Sequence, residues 1–194
     1  MAKRIVRDRC CGVLIDVQGF FLAQLDSVTR SNVTMNTANL VRLLGHFGIP
    51  MVATLERPVQ HKGPLPQEIS ALLSETTKTF EKDFFDLCKE RPIREHLAGL
   101  KKKQVIVAGC ETDVCVLQSC LGLLDLGYEV FVVEELLFSS THNVASAIAR
   151  MKAEGAVLLT YKTLYYELAE AVESSSHASQ FGALPDDLPD LALE

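Results

Sequence analysis

The sequence predicts an α/β protein: a mostly parallel six-stranded sheet with helices on both faces, in a three-layer α/β/α arrangement. Three observations predict it. Short apolar runs alternate with amphipathic stretches along most of the chain, the pattern of parallel strands joined by helical crossovers. Gly48–Ile49–Pro50, Gly127–Tyr128 and Gly155 stand where helices must stop and strands begin. The 194 residues are 48% hydrophobic, enough for the core of one domain.

Taken in order, strands are expected near 12–17, 50–55, 105–109, 129–133 and 156–160, with a sixth around 76–80. The first runs Val13–Leu14–Ile15 into Asp16; Val105 to Ala108, bounded by Gly109, reads as buried on both faces. Helices are expected over about 32–47, 66–73, 92–99, 114–126, 142–154 and 162–173. The stretch from Val114 to Leu126 carries apolar residues at 114, 117, 121 and 124, and Thr112 or Asp113 is placed to cap it. The connection from Glu56 to Leu65, with Pro58, Gly63 and Pro64, is the longest loop before a helix and is expected to wall a pocket. Ser174 to Glu194, rich in Ser, Pro and Asp, reads as a weakly ordered tail, which leaves 1–173 as the domain and 174–194 outside it.

Composition removes several classes of function. With 19 basic and 25 acidic residues the net charge is −6, which gives no reason to seek nucleic acid or an anionic membrane. The first apolar run is broken by Asp16, so a signal-peptide core is lacking, and no run is long enough to span a bilayer. Six cysteines, at 10, 11, 88, 110, 115 and 120, contain no C-x-x-C pair and read as reduced thiols of a cytoplasmic protein. His46, His61, His96, His142 and His177 show no ligand spacing, and no G-x-G-x-x-G follows a strand, so neither a metal nor a dinucleotide cofactor is expected.

Three residues carry candidate chemistry. Cys115 falls in the first turn of a helix that follows a strand, where unpaired N–H groups and the helix dipole favour thiolate and lower the pKa. Asp16 ends a strand, at the edge of an open sheet where ligands bind. Lys82 lies in the aromatic-rich Thr79–Phe85 segment, either snorkelling to water or pinned beside an anion. Each has an ordinary reading by itself: Cys115 as core filler, Asp16 as a cap, Lys82 as a surface charge. Together, an acid, a cation and a thiol at sheet-end positions are hard to explain as packing.

These stretches resemble the isochorismatase-like cysteine hydrolases, a family that includes nicotinamidases and several amidohydrolases. Gly12-Val-Leu-Ile-Asp16-Val-Gln18-Gly-Phe-Phe21 is similar to the family's D-x-Q-x-x-F strand end. Phe80-Glu-Lys82 resembles its lysine segment, and Gly109-Cys-Glu-Thr-Asp-Val-Cys115-Val its nucleophile turn. The resemblance runs from about Cys11 to Val172 and implies a Rossmann-like fold with Asp16, Lys82 and Cys115 as catalytic triad. It also implies a cis peptide between Cys110 and Glu111, an oxyanion hole from the backbone N–H groups of Glu111 and Cys115, and a homo-oligomer of two or more subunits. The faces expected to be shared between subunits are the helix from Val114 to Leu126 and Leu136–Leu137–Phe138. Nicotinamidases carry an Asp-x-His pair after the second strand that helps bind a metal; Ala53 to His61 lacks it, so no metal is expected.

The implied activity is covalent hydrolysis of a small amide-like C–N bond through a thioester. Gln18, Phe21, Arg57 and Thr112 are the substrate-pocket candidates. Gln18 either orients Asp16 or a substrate or satisfies backbone groups, and Arg57 either binds a carboxylate or, the favoured reading, is solvated. Two alternatives stand: a non-catalytic interaction protein that keeps the fold, and a vinyl-ether hydrolase of isochorismatase type, which needs no cysteine.

Overall fold

The computed structural model describes residues 3–141, 144–172 and 182–193. Six strands, β1 (Cys10–Ile15), β2 (Met51–Glu56), β3 (Thr77–Lys82), β4 (Gln104–Gly109), β5 (Glu129–Leu137) and β6 (Val157–Leu159), form one sheet in the order β3-β2-β1-β4-β5-β6. Every neighbouring pair is parallel. Between and after the strands come the short turns α1 (Gly19–Leu22), α3 (Val59–Lys62) and α4 (Gln67–Ser70), and the longer helices α2 (Ser27–His46), α5 (Arg91–Gly99), α6 (Leu117–Asp125), α7 (Ala145–Ala153) and α8 (Tyr161–Ala169).

Strand alternation divides the core into two layers. Leu14, Ala53, Ile106 and Phe131 pack with α2 and α8 residues such as Leu40, Leu44 and Leu164. Val13, Val52, Val107 and Val132 pack with α5, α6 and α7 residues such as Leu97, Leu123 and Met151. The strands are therefore apolar almost without interruption, as a sheet covered on both faces requires. The edge strand β3 departs furthest from this pattern: it exposes Lys78, Thr79 and Glu81 yet buries Lys82.

Boundaries differ where polar residues hide the pattern. β1 starts at Cys10, two residues early, because both cysteines are buried hydrophobes. α2 begins at Ser27, five residues before the expected start, since Asp26 caps it by accepting from the N–H groups of Val28 and Thr29. The expected helix from 114 is preceded by a π-helical turn, Thr112–Val116, in which the Val116 N–H reaches back to Glu111 O. Neither Thr112 nor Asp113 caps it: the Thr112 hydroxyl donates to Phe138 O and Asp113 accepts from Ser139 Oγ, which ties the turn to the segment after β5.

Part of the expected tail is packed. Leu184 and Leu188 are buried in the α2 layer, the Asn36 amide pairs with both backbone groups of Leu193, and Arg42 bridges Asp187. Those apolar contacts outweigh a composition that reads as loose; 174–181 lie outside the described residues. No helix among the described residues is long and apolar enough to cross a membrane.

Candidate active site

The strand order brings the site together. At the carboxyl edge of the sheet, Lys82 ends β3, Glu56 ends β2, Asp16 follows β1, and the turn carrying Cys110 and Cys115 follows β4, so four adjacent strands deliver four reactive side chains to one place. Register fixes the match: Glu56 pairs with Lys82, and Ile15 pairs with Thr54 on one side and Gly109 on the other. Gly109 permits the close approach of β4 to β1, since a Cβ there would lie 2.1 Å from Ile15 O. Asp16 leaves β1 at φ 52°, a left-handed conformation that Asp tolerates better than most side chains.

Asp16 and Lys82 are fully buried and Cys115 is 2% exposed. Lys82 Nζ lies 2.8 Å from Asp16 Oδ2, 3.6 Å from Glu56 Oε2 and 3.4 Å from Cys115 Sγ, to which it donates. Asp16 Oδ1 accepts from the Thr54 hydroxyl at 2.8 Å. The Cys115 thiol donates to Glu56 Oε2 at 3.0 Å, and the other Glu56 oxygen is ion-paired to Lys62. Gln18 holds the Glu56 backbone from both sides: its amide oxygen accepts from Glu56 N–H at 2.7 Å, and its amide nitrogen donates to Glu56 O and Gly63 O. The Cys110–Glu111 peptide is cis.

The charges reinforce one another. Burial raises the Asp16 pKa and outweighs the lowering by Lys82, Thr54 and Cys115. Burial by itself would lower Lys82, but Asp16, Cys115 and Glu56 hold it above the ordinary lysine value. For Glu56 burial acts upward, yet hydrogen bonds from Cys115 and Lys62 and the charge of Lys82 carry it below the usual range. Burial raises Cys115 first, Asp16 and Glu56 raise it further, and only Lys82 opposes them. This corrects the expectation of a lowered cysteine pKa: burial and the two carboxylates push the thiol up and outweigh the helix end. Burial likewise pushes Cys10, Cys11 and Cys120 up to about 12, but none of these has a lysine at hydrogen-bond distance.

Asp16, Glu56 and Cys115 offer three ligand atoms within 4.8 Å of one another, a set that suits a divalent cation. The Lys82 ammonium contacts all three groups and fills that cationic position itself.

The four pocket candidates have other commitments. Gln18 satisfies backbone, one of the two readings its sequence context left open. Thr112 donates to Phe138 O. Phe21 is buried in the core with the Lys62 ammonium 5.6 Å from its ring centre. Arg57 is exposed and ion-paired with Glu81 and Asp83. Glu111 turns its carboxylate to Ser140 N–H. Glu56, Thr54 and Lys62 were not anticipated. The signal for Glu56 was present, because it ends a parallel strand just as Asp16 does, but the stretch around it reads first as one lacking a histidine pair.

The carboxyl edge of the parallel sheet thus gathers a buried thiol, a lysine and two carboxylates. The isochorismatase domain model matches residues 10–163, and the chain belongs to the isochorismatase family of hydrolases. It is 34% identical over 161 residues to the secreted isochorismatase effector Isc1 of Phytophthora sojae, covering 79% of this chain and 74% of that one. Among solved structures it is similar to the MAR1 ribonuclease of Caenorhabditis elegans (TM-score 0.82, 25% identity, 95% of each chain). It shares its fold with the YcaC gene product of Escherichia coli, described as an octameric hydrolase of unknown specificity (TM-score 0.82, 24% identity, 88% of this chain and 84% of that one).

Proposed function

We propose that the protein hydrolyses a small amide-like C–N bond through a thioester on Cys115, with Asp16 and Lys82 completing the triad. The observation that carries this reading is Lys82 Nζ held between Asp16 Oδ2 at 2.8 Å and Cys115 Sγ at 3.4 Å. Asp16, which is also in hydrogen-bond contact with the Cys115 sulfur, accepts its proton as sulfur attacks the carbonyl carbon. Burial raises both the carboxyl and the thiol, so the proton passes between groups that are alike poorly solvated when charged, and Lys82 neutralises whichever is anionic. The N–H groups of Glu111 and Cys115 receive the oxyanion, a contribution of about 3 kcal/mol per donor. Protonated Asp16 hands its proton to the departing amine, and water then releases the acid.

The buried thiol supports acyl chemistry over a vinyl-ether hydrolysis that would not use it. A lysine buried among two carboxylates costs stability, which supports catalysis over a bare interaction surface. A net charge of −6 supports a small-molecule substrate rather than a polyanion such as RNA. The reading is tested by screening small amides, ureides and hydroxamates for ammonia or amine release, with Cys115→Ala as blank. Release that the blank matches would defeat it.

Because Lys82 supplies the cationic charge, no metal or cofactor is needed. Turnover is expected to survive exhaustive chelation, followed by elemental analysis; activity that falls with metal content and returns on its addition would contradict this.

A homo-oligomer is part of the same reading, supported by the octameric description of the Escherichia coli relative. Of the faces expected to be shared, Leu117, Leu123, Leu136 and Phe138 are buried in the subunit's own core, because α6 flanks one face of the sheet and Leu136 and Phe138 pack in the layer on the other, while Leu126 is exposed. Exposed Phe20, Phe84 and Phe85 remain for association. Light scattering should report a dimer or larger; a monomer mass near 21.4 kDa would refute assembly.

A further inference from the structure

The two carboxylates at the thiol differ in their access to water. Asp16 has no exposed surface and both oxygens are engaged, one by Thr54 and one by Lys82. Glu56 is on the outer side: its side chain is 12% exposed, and its Oε2 holds the Cys115 thiol proton at 3.0 Å. Its backbone is clamped by Gln18 and its second oxygen by Lys62, so Oε2 keeps its aim at sulfur after the thiol proton is gone.

Resting on the thioester reading above, we propose that Glu56 is a second catalytic carboxylate, the base that activates water to cleave the Cys115 acyl-enzyme. Acylation by Asp16 and deacylation by Glu56 divide the proton work between a dry acceptor and one that water can reach. Once sulfur is acylated, Oε2 loses its donor and becomes available. It takes one proton from an incoming water, whose oxygen bonds to the acyl carbon. The tetrahedral intermediate collapses, the C–S bond breaks, and its electron pair leaves on sulfur. Protonated Glu56 then returns the proton to the thiolate. Thioester and water become carboxylic acid and thiol, and the products include the Sγ–H to Oε2 contact seen in the structure. Loss of the thiol donor also removes one of the influences that hold the Glu56 pKa down, making it a stronger base in the acyl-enzyme than in the resting protein.

The probe is p-nitrophenyl acetate, whose leaving group departs without protonation, so acylation and deacylation separate. Wild type should release p-nitrophenolate continuously. Glu56→Gln should give one equivalent and stop, with an acetyl group on Cys115 detected by intact mass and peptide mapping and its decay slowed by roughly 10²-fold. Glu56→Asp keeps the carboxylate but draws it back from sulfur, and its adduct should decay at an intermediate rate. It also decides the matter if the Gln variant fails to fold, as circular dichroism would reveal. An adduct that decays as fast in the folded Glu56 variants as in wild type would overturn the proposal and leave the cysteine nucleophile standing. No acetyl group on wild-type Cys115, with release matched by Cys115→Ala, would overturn the thioester reading and the role of Glu56 with it.

Discussion

Cys115→Ser is expected to lose amide hydrolysis, with turnover falling by roughly 10³-fold or more, while the protein keeps its fold. The structure allows both halves of that result. A serine hydroxyl at this position can still donate to Glu56 and accept from Lys82, as the Cys115 sulfur does, so packing and polar satisfaction persist. What disappears is the soft nucleophile. Surroundings that already raise the thiol pKa put an alkoxide out of reach, because burial and the two nearby carboxylates oppose a negative charge on oxygen even more than on sulfur. Ammonia release and thermal denaturation, measured side by side, check the two halves; a Ser variant with wild-type turnover would remove Cys115 as nucleophile.

Lys82→Ala is expected to lose both activity and stability. The ammonium is the shared countercharge of Asp16, Glu56 and Cys115, so deleting it leaves two carboxylates facing each other in a buried site. Removing one member of a buried pair costs about 3–5 kcal/mol, and turnover should fall by roughly 10²-fold or more. The sign of the pH effect follows from the same contacts. Lys82 lowers the proton affinity of Asp16 and Cys115, so its loss raises both. If ionised Asp16 is the base, the acid limb of kcat/KM should lie above the ordinary carboxylate range in wild type, since burial raises Asp16, and should move higher in the variant. Alkylation of Cys115 by iodoacetamide should likewise shift to higher pH. Stability should move the other way: a carboxyl whose folded pKa exceeds its unfolded one binds its proton more tightly when folded, so Lys82→Ala is least unstable at low pH and loses ground as pH rises through that range. Asp16→Asn should cost as much turnover but less stability, since Lys82 keeps Glu56 as a partner. Alkylation profiles that coincide in wild type and Lys82→Ala would exclude Lys82 from the site's chemistry.

Much of the fold is legible because a sheet buried on both faces needs nearly continuous apolar strands, and Val13–Ile15, Val105–Ala108 and Val130–Val133 supply them without ambiguity. β3 is harder to read: as an edge strand it exposes Lys78, Thr79 and Glu81 and has little apolar content. The start of α2 is hidden because its first turn is held by the Asp26 cap and not by apolar contacts. At the site, Asp16, Lys82 and Cys115 are readable as types in a family-like order, and strand order brings them together. The Cys115 proton affinity is not readable, because it depends on how many carboxylates the sheet places around the sulfur. Glu56 arrives from β2, between the strands that carry Lys82 and Asp16, and that neighbourhood is a property of topology. The packing of Leu184 and Leu188 on the α2 layer likewise depends on a surface formed only once the chain has folded.

The most direct measurement is acid-quenching of the wild-type protein during turnover of an amide found in the screen, followed by peptide mapping of the six cysteines. A covalent route through Cys115 predicts the substrate's acyl mass on the peptide carrying Cys115 and on no other cysteine peptide, and its absence from Cys115→Ser treated alike. Steady amide hydrolysis with no acyl mass on Cys115 at any quench time, together with undiminished release by Cys115→Ser, would contradict it.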